Sequence, residues 1–134
     1  CLVGSEMCIR DSYYRAKAYT KQKADKKAME DYRELAKDTR NPYGAEAKYQ
    51  VAQSLYDAKE YAAAEKELLN YIEQSTPHAY WLARSFVLLS DVYHATGKDL
   101  DARQYLLSLQ QNYQGNDDIE SMIESRLSKL KVEN

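Results

Sequence analysis

Asp91 and His94 are the two side chains whose types and spacing could do metal or acid–base chemistry. Three residues apart on one helix, they would lie on the same face. His78, the other histidine, is predicted at the start of the same helix, several turns away. Two ligands are too few for a zinc site. We therefore interpret Asp91 and His94 as polar residues that line a binding surface, and we expect no metal site.

The two cysteines, Cys1 and Cys8, lie in an opening segment that is unlike the rest of the chain. They lack the close spacing of a metal or redox pair, and no further cysteine could join them. Cys1 could be the acylated first residue of a lipoprotein, although such proteins usually continue with a polar tether. A targeting peptide is not supported, because Glu6, Arg10 and Asp11 interrupt the apolar run.

Motifs for other kinds of catalysis are missing from the sequence. It contains no glycine-rich phosphate loop, no serine elbow and no Cys-x-x-Cys. Neighbouring acids such as Glu65 and Glu67 are explained by solvation of a helix. We therefore predict that the protein is not an enzyme, and we expect no catalytic residue, no cofactor and no small-molecule substrate.

Charge and hydropathy narrow the classes of partner. The net charge of −2 argues against a general nucleic-acid binder. A basic nucleic-acid-binding face near the start of the chain stays as an alternative, because six basic residues cluster there: Arg15, Lys17, Lys21, Lys23, Lys26 and Lys27. No apolar stretch approaches the roughly 20 residues that a membrane-spanning helix needs, so we expect no transmembrane segment.

An internal repeat reveals the elements that must position these residues. Three stretches align with constant offsets of 36 and 38 residues. The aligned columns hold a small residue, an apolar residue, an alanine and two further apolar residues: Ala16, Ala52 and Ser90; Tyr19, Leu55 and Tyr93; Ala28, Ala64 and Ala102; Tyr32, Leu68 and Leu106; Leu35, Tyr71 and Leu109. Small residues let two helices approach closely, so each unit predicts a pair of packed helices.

Helix starts and stops agree with this periodicity. Asn41-Pro42 and Thr76-Pro77 each place an N-cap residue before proline, and Gly97 predicts a helix end. Asp117 and Glu120 have the spacing of a capping box. The pattern therefore predicts an all-α fold of seven helices without strands. We place helical hairpins at about 13–38, 42–74 and 77–113, and a last helix at about 118–131.

The columns resemble the tetratricopeptide repeat (TPR). The stretch AEAKYQVAQSLYDAKEYAAAEKELLNYIEQSTP matches nearly throughout, and FVLLSDVYHATGKDLDARQYLLSL matches as well. Two columns depart from the family: Lys48 and Phe86 replace its tryptophan, and Lys23 and Lys59 replace its glycine between helices. The resemblance implies an α-α superhelix of three TPR-like hairpins with a C-terminal capping helix, over 13–134. Tyrosine-rich repeats also resemble long bacterial cell-envelope proteins of this family, which favours a periplasmic or envelope location for a C-terminal fragment.

For this family the implied activity is binding of a partner's peptide or helix in a concave groove lined by the first helices. The groove-facing columns carry over to twelve residues: Tyr13, Lys17, Thr20, Lys21, Tyr49, Gln53, Tyr56, Asp57, Arg84, Val87, Asp91 and His94. The tyrosines could instead only complete helix packing. A clamp for a partner's C-terminal carboxylate is not supported, because the corresponding positions hold Tyr, Gln and Val. A further alternative is a purely structural cap that ends a longer array.

The opening residues resemble a translated adaptor sequence instead of a repeat. EMCIRDS resembles the in-frame translation of a transposase adaptor from sequencing libraries. This resemblance implies that residues 1–12 are a non-native leader, that neither cysteine carries function, and that the native protein begins near Tyr13. We therefore expect residues 1–11, including Leu2, Val3 and Ile9, to pack little against the repeats.

Overall fold

The computed structural model describes residues 6–74 and 77–130, and every regular element in these two ranges is an α-helix. They contain seven helices: α1 (Glu6–Lys21), α2 (Asp25–Leu35), α3 (Pro42–Asp57), α4 (Tyr61–Glu73), α5 (Ala79–Ala95), α6 (Asp99–Asn112) and α7 (Ile119–Lys129). The all-α class predicted from the hydrophobic periodicity is therefore confirmed.

The helices pack in chain order. α1 packs with α2, α3 with α4 and α5 with α6, and three residues separate the helices of each pair. Each pair also packs on the next, through α2 against α3 and α4 against α5. α7 contacts both α5 and α6. One core cluster contains residues of all three helix pairs. A second cluster contains residues of α5, α6 and α7.

The columns of the sequence repeat lie in this interior. The small residues of the first column, Ala16, Ala52 and Ser90, are at most 2% exposed. The alanines of the third column are at most 4% exposed, and the two apolar columns that follow are buried as well. Only Tyr19 is half-buried. Because small residues stand where the two helices of a pair meet, the axes approach closely while larger residues fill the flanks.

The turn inside each helix pair has the same backbone structure. Gly97 has a φ of 80°, and Lys23 and Lys59 have φ angles of 60° and 62°. In each turn the next residue donates its backbone N–H to a carbonyl five positions earlier: Ala24 to Tyr19, Glu60 to Leu55 and Lys98 to Tyr93. This bond is characteristic of a Schellman motif, which ends a helix. The helix end predicted at Gly97 is confirmed, and lysine takes the left-handed position in the other two turns.

The connection between α2 and α3 is set by three consecutive residues. Asn41 Oδ1 accepts the backbone N–H of Tyr43 at 2.8 Å, and Pro42 is the first residue of α3, which confirms this predicted helix start. Gly44 faces the end of α2. A Cβ atom there would collide with the carbonyl oxygens of Asp38 and Leu35. Glycine therefore allows α3 to lie directly against the end of α2.

Two predicted boundaries need correction. α5 begins at Ala79, so Pro77 lies outside its first turn, and Thr76 lies outside the described residues. His78 Nε2 contacts the Arg40 carbonyl oxygen at 2.7 Å, which holds the segment before α5 against the α2–α3 connection. At α7, Asp117 Oδ1 accepts the Ile119 N–H at 3.0 Å instead of that of Glu120. The predicted capping box is thus replaced by a local turn.

The opening segment joins the first helix pair more closely than predicted. α1 begins at Glu6, and Ile9 is half-buried against the main core. The expectation that residues 1–11 pack little is therefore wrong for Ile9. Extending an existing helix costs little, and Ile9 lies one turn before Tyr13, so it continues the packed face. Leu2 and Val3 lie outside the described residues, and Cys8 is disulfide-bonded.

Candidate functional site

The candidate site is one surface of α1, α3, α5 and α7, which we call the first-helix face. It takes in the twelve residues that the family resemblance implies as groove-facing, two of which are buried, joined by Glu46, Tyr80, Trp81 and Arg126. α1 contacts α3, α3 contacts α5 and α5 contacts α7. One polar pair bridges each of these contacts, and together the pairs form what we call the polar ladder: Lys17–Glu46, Arg84–Tyr49 and Arg126–Asp91.

The first step of the polar ladder connects α1 to a buried carboxylate of α3. Glu46 is 8% exposed; its Oε1 accepts the Tyr13 hydroxyl at 2.8 Å, and its Oε2 lies 2.7 Å from Lys17 Nζ. Burial alone would lower the pKa of Lys17, but the interactions with Glu46 and Tyr13 outweigh burial and raise it. Burial and the Glu46 hydrogen bond raise the pKa of Tyr13. Both α1 residues therefore keep their protons and hold the carboxylate.

The second step connects α3 to α5 through aromatic rings. The Arg84 guanidinium lies 4.9 Å from the centre of the Tyr49 ring and donates a hydrogen bond to its hydroxyl at 3.0 Å. It donates another to the Tyr80 hydroxyl at 3.0 Å, and the Tyr80 and Trp81 rings lie 5.8 and 5.9 Å away. Tyr80 in turn donates to Asp118 Oδ1 at 3.0 Å. Arg84 thus lies beside three aromatic rings and donates hydrogen bonds to two neutral hydroxyls.

The third step connects α5 to α7 through a bidentate ion pair. Arg126 Nε lies 2.8 Å from Asp91 Oδ1, and a second guanidinium nitrogen lies 3.1 Å from Oδ2. Both side chains are about one-quarter to one-third exposed. This fork geometry orients both partners, so α7 has a fixed position on α5.

The first two steps use equivalent positions of the repeat. Tyr13 and Tyr49 are 36 residues apart, and Glu46 and Arg84 are 38 residues apart. In the first step the Tyr13 hydroxyl donates to Glu46. In the second step the equivalent hydroxyl, that of Tyr49, accepts a hydrogen bond from Arg84. The repeat offsets could therefore have identified Glu46 from Arg84. Arg126 could not have been found in this way, because α7 lies outside the repeat register.

The twelve predicted residues differ in how accessible they are. Tyr49 and Val87 are only 6% and 2% exposed, so these two side chains pack in the core and do not line a groove. Tyr49 packs in the main core beside Trp81 of the next helix pair, as the packing alternative for the tyrosines predicted. Val87 packs in the second core cluster with residues of α6 and α7. Gln53 is half-buried; it accepts the Tyr49 hydroxyl at 2.9 Å and donates to Asp57 at 2.9 Å.

The remaining predicted residues lie nearer the surface. Tyr56 is half-buried, and its ring contacts Tyr61 edge-on with centroids 5.6 Å apart. Lys21 and Thr20 are exposed, and the Thr20 hydroxyl donates to the Ala16 carbonyl within its own helix. Together with Asp57 and His94, they are the members most open to a partner.

Asp91 and His94 do not act on each other. Asp91 binds Arg126, whereas His94 Nδ1 lies 2.8 Å from Asp99 Oδ1 in the next helix. Within residues 6–74 and 77–130, no group of three or more histidine, cysteine, aspartate or glutamate side chains could hold a metal ion. The pair is therefore divided between two structural contacts.

Two of the basic residues near the start of the chain are neutralised by acids. Arg15 binds Asp31 through two nitrogens at 2.6 and 2.8 Å, and Lys17 binds Glu46. Lys21, Lys23, Lys26 and Lys27 are exposed, and Lys27 lies 5.7 Å from the Tyr19 ring. The charge available to a polyanion is thus smaller than the sequence indicates.

A cavity of about 640 Å³ lies away from the first-helix face, between the first half of α1 and the end of α2. Ile9 and Asp11 line one side of it, and Leu35 and Asp38 line the other. Four of its ten lining residues therefore belong to the segment that resembles adaptor translation. We assign it no function on that ground.

Comparison with known proteins adds no functional assignment. No family model, no curated protein and no solved structure matches the chain. Among the helices of the described ranges, none combines the length and apolar character that crossing a bilayer requires. The contacts of the first-helix face are therefore the basis for inferring a function.

Proposed function

We propose that this protein is an interaction scaffold of the tetratricopeptide-repeat type, which binds an extended peptide or a helix of a partner protein on the first-helix face. The observation that supports this proposal is that, in the described ranges, the first helices of the pairs contact one another and the second helices do not. α1, α3, α5 and α7 contact one another in succession, whereas in the described residues α2 does not contact α4 and α4 does not contact α6. A stack whose first helices lie closer than its second helices curves toward the first helices, so their surface is the concave one.

The repeated turns support the finer architecture of three TPR-like hairpins with α7 as a capping helix. Left-handed residues occur at positions 23, 59 and 97, with the same 36- and 38-residue offsets as the core columns. Between α3 and α4 the Lys48–Glu67 ion pair, at 2.8 Å, occupies the position where α5 and α6 have the Phe86–Tyr105 ring contact. Different chemistry at equivalent positions thus serves one geometry, which is typical of repeat proteins.

The chemistry of the accessible residues suits a peptide. Tyr56 offers a rigid ring that loses little entropy on binding. Gln53 lies about one turn before it and Asp57 directly follows it, and both can bond a partner's backbone. Lys21 and His94 extend the polar surface toward the ends of α1 and α5. Such alternation of aromatic and polar groups favours sequence-tolerant peptide binding over recognition of a small molecule.

A purely structural cap is the second candidate, and the polar ladder favours it. Lys17, Glu46, Asp91 and Arg126 already bind one another, so they bond neighbouring helices instead of waiting for a ligand. In this reading the face fixes the curvature of a longer array and binds little. The nucleic-acid alternative has less support, because acids pair with Arg15 and Lys17.

Selection from a phage-displayed library of random peptides, with the intact chain as the target, would distinguish the scaffold from the structural cap. If the chain is a scaffold, selection yields peptides whose affinity falls about tenfold or more in Tyr56→Ser. The matched control is Lys66→Ser on the exposed side of α4, which should leave affinity unchanged. Failure to enrich any peptide, or equal losses in both variants, would favour the structural cap.

A further inference from the structure

Arg84 is the only member of the polar ladder whose charge has no opposite charge beside it. Lys17 has Glu46 and Arg126 has Asp91, each within 2.8 Å. In the part of the chain that the structure describes, no carboxylate oxygen lies within 4.0 Å of the Arg84 guanidinium. Its two hydrogen bonds go to neutral tyrosine hydroxyls.

The site is also held by hydrogen bonds and partly removed from water. Arg84 is half-buried, and three rings surround the guanidinium at 4.9 to 5.9 Å. Tyr49 is itself held by Gln53, and Tyr80 by Asp118. A guanidinium has five N–H donors in a fixed fork, and two hydrogen bonds leave donors available for a carboxylate. A partly desolvated cation of this kind interacts more strongly with a bound anion than an exposed cation does.

We propose, building on the scaffold function, that Arg84 is the anchor of the binding face and takes the carboxylate of a glutamate or aspartate side chain within a partner peptide. α5 lies between α3 and α7, so the face continues on both sides of Arg84. A peptide chain can therefore run past it in both directions, which fits an internal side chain better than a chain end. The partner is accordingly an acidic peptide segment.

Trp81 provides a direct readout, because it is the only tryptophan of the chain and its ring lies 5.9 Å from the Arg84 guanidinium. The probes are acetylated and amidated peptides in which alanine alternates with glutamate or, as the neutral match, with glutamine. We expect saturable change of Trp81 emission with the glutamate peptide, weakening as salt increases. The glutamine peptide should bind about tenfold or more weakly.

Variants of the intact chain test the residue itself. Arg84→Gln should weaken the glutamate peptide by about tenfold or more, whereas Arg33→Gln on the exposed face of α2 should not. Arg84→Lys keeps the charge but loses the planar fork of guanidinium donors, so it should bind the glutamate peptide with intermediate affinity. It also tests the proposal if Arg84→Gln folds poorly. Wild-type affinity in Arg84→Lys and Arg84→Gln would overturn the proposal.

Three further outcomes would also overturn it: equal affinity for the two peptides, no response to either, or an equal response to an alanine peptide with a free C-terminal carboxylate. A response to oligo(dT) that exceeds the response to the glutamate peptide would instead assign Arg84 to phosphate. If the glutamine peptide binds as well as the glutamate peptide and loses affinity in Tyr56→Ser, the scaffold function stands while the Arg84 anchor fails.

Discussion

Lys17 of α1 places its ammonium nitrogen 2.7 Å from Oε2 of Glu46 in α3, where the carboxylate side chain is 10% exposed and the lysine side chain 42%. The contact therefore holds a nearly buried negative charge with a cation that still reaches water. Removing the cation leaves that charge unpaired, which costs more than the pair itself contributes. Lys17 is thus the cation that compensates the buried charge where α1 meets α3.

We expect Lys17→Met to lower the free energy of unfolding by about 1–2 kcal/mol, discounted for the partial exposure of the pair. Lys17→Met with Glu46→Leu should recover most of this loss, because the double change leaves no buried charge. Urea unfolding followed by circular dichroism measures both. The control is Lys37→Met, which breaks the exposed Glu34–Lys37 pair and should cost less than about 0.5 kcal/mol. Equal losses for Lys17→Met and Lys37→Met would contradict the prediction.

Lys23 and Lys59 have φ angles of 60° and 62°, a region that side chains with a Cβ rarely adopt. We expect Lys23→Gly and Lys59→Gly to stabilise the fold by about 0.5–1 kcal/mol each, because glycine removes the left-handed strain. Thermal and urea unfolding would measure the change. Lys66→Gly, in the middle of α4, should instead destabilise by about 1 kcal/mol. Destabilisation by all three changes would show that the turns carry no such strain.

Gly44→Ala should destabilise the fold by more than about 2 kcal/mol, because the added Cβ meets backbone oxygens at the end of α2 that cannot rotate away. Ser54→Ala, at an exposed position of the same helix, serves as the control and should change stability by less than about 0.5 kcal/mol. The measurement is again the free energy of unfolding in urea. A Gly44→Ala protein as stable as wild type would mean that α2 and α3 can separate without cost.

The protein should lose stability as the pH rises above 10. Burial, followed by the hydrogen bond to Asp117, raises the pKa of Tyr113 from 10.0 to about 12, and burial also raises the pKa values of Tyr13, Tyr49 and Tyr93. When the pKa of a tyrosine is higher in the folded state than in the unfolded state, the difference stabilises the fold. This stabilisation is complete below the unfolded-state pKa and is lost as the pH rises through the folded-state pKa. Unfolding free energy should therefore fall between pH 10 and 12.

Tyr113→Phe tests the sign of this linkage. The variant loses its hydrogen bond to Asp117, but it should show a shallower decline of unfolding free energy above pH 10. Urea unfolding at a series of pH values supplies the slopes, and tyrosinate absorbance follows the titration independently. An identical or steeper slope in Tyr113→Phe would contradict the assignment.

Interior positions were predictable from the sequence because packing requires small residues at fixed intervals. Ala16, Ala52 and Ser90 fell in one column, and all three are buried. Surface roles were harder to predict for a physical reason: helical periodicity gives the direction of a side chain, but not whether a neighbouring helix covers it. Tyr49 and Val87 point toward the first-helix face by register, and adjacent helices bury both.

The sequence by itself determined the helices, their pairing and the residues between paired helices, because these depend on contacts inside one helical hairpin that periodicity and caps express locally. Only the tertiary structure decided which charges neutralise each other. Glu46, Asp91 and Arg126 bind partners 29 to 35 residues distant. Such contacts depend on how neighbouring hairpins are placed, and the same placement leaves Arg84 among tyrosine hydroxyls with its charge available to a partner.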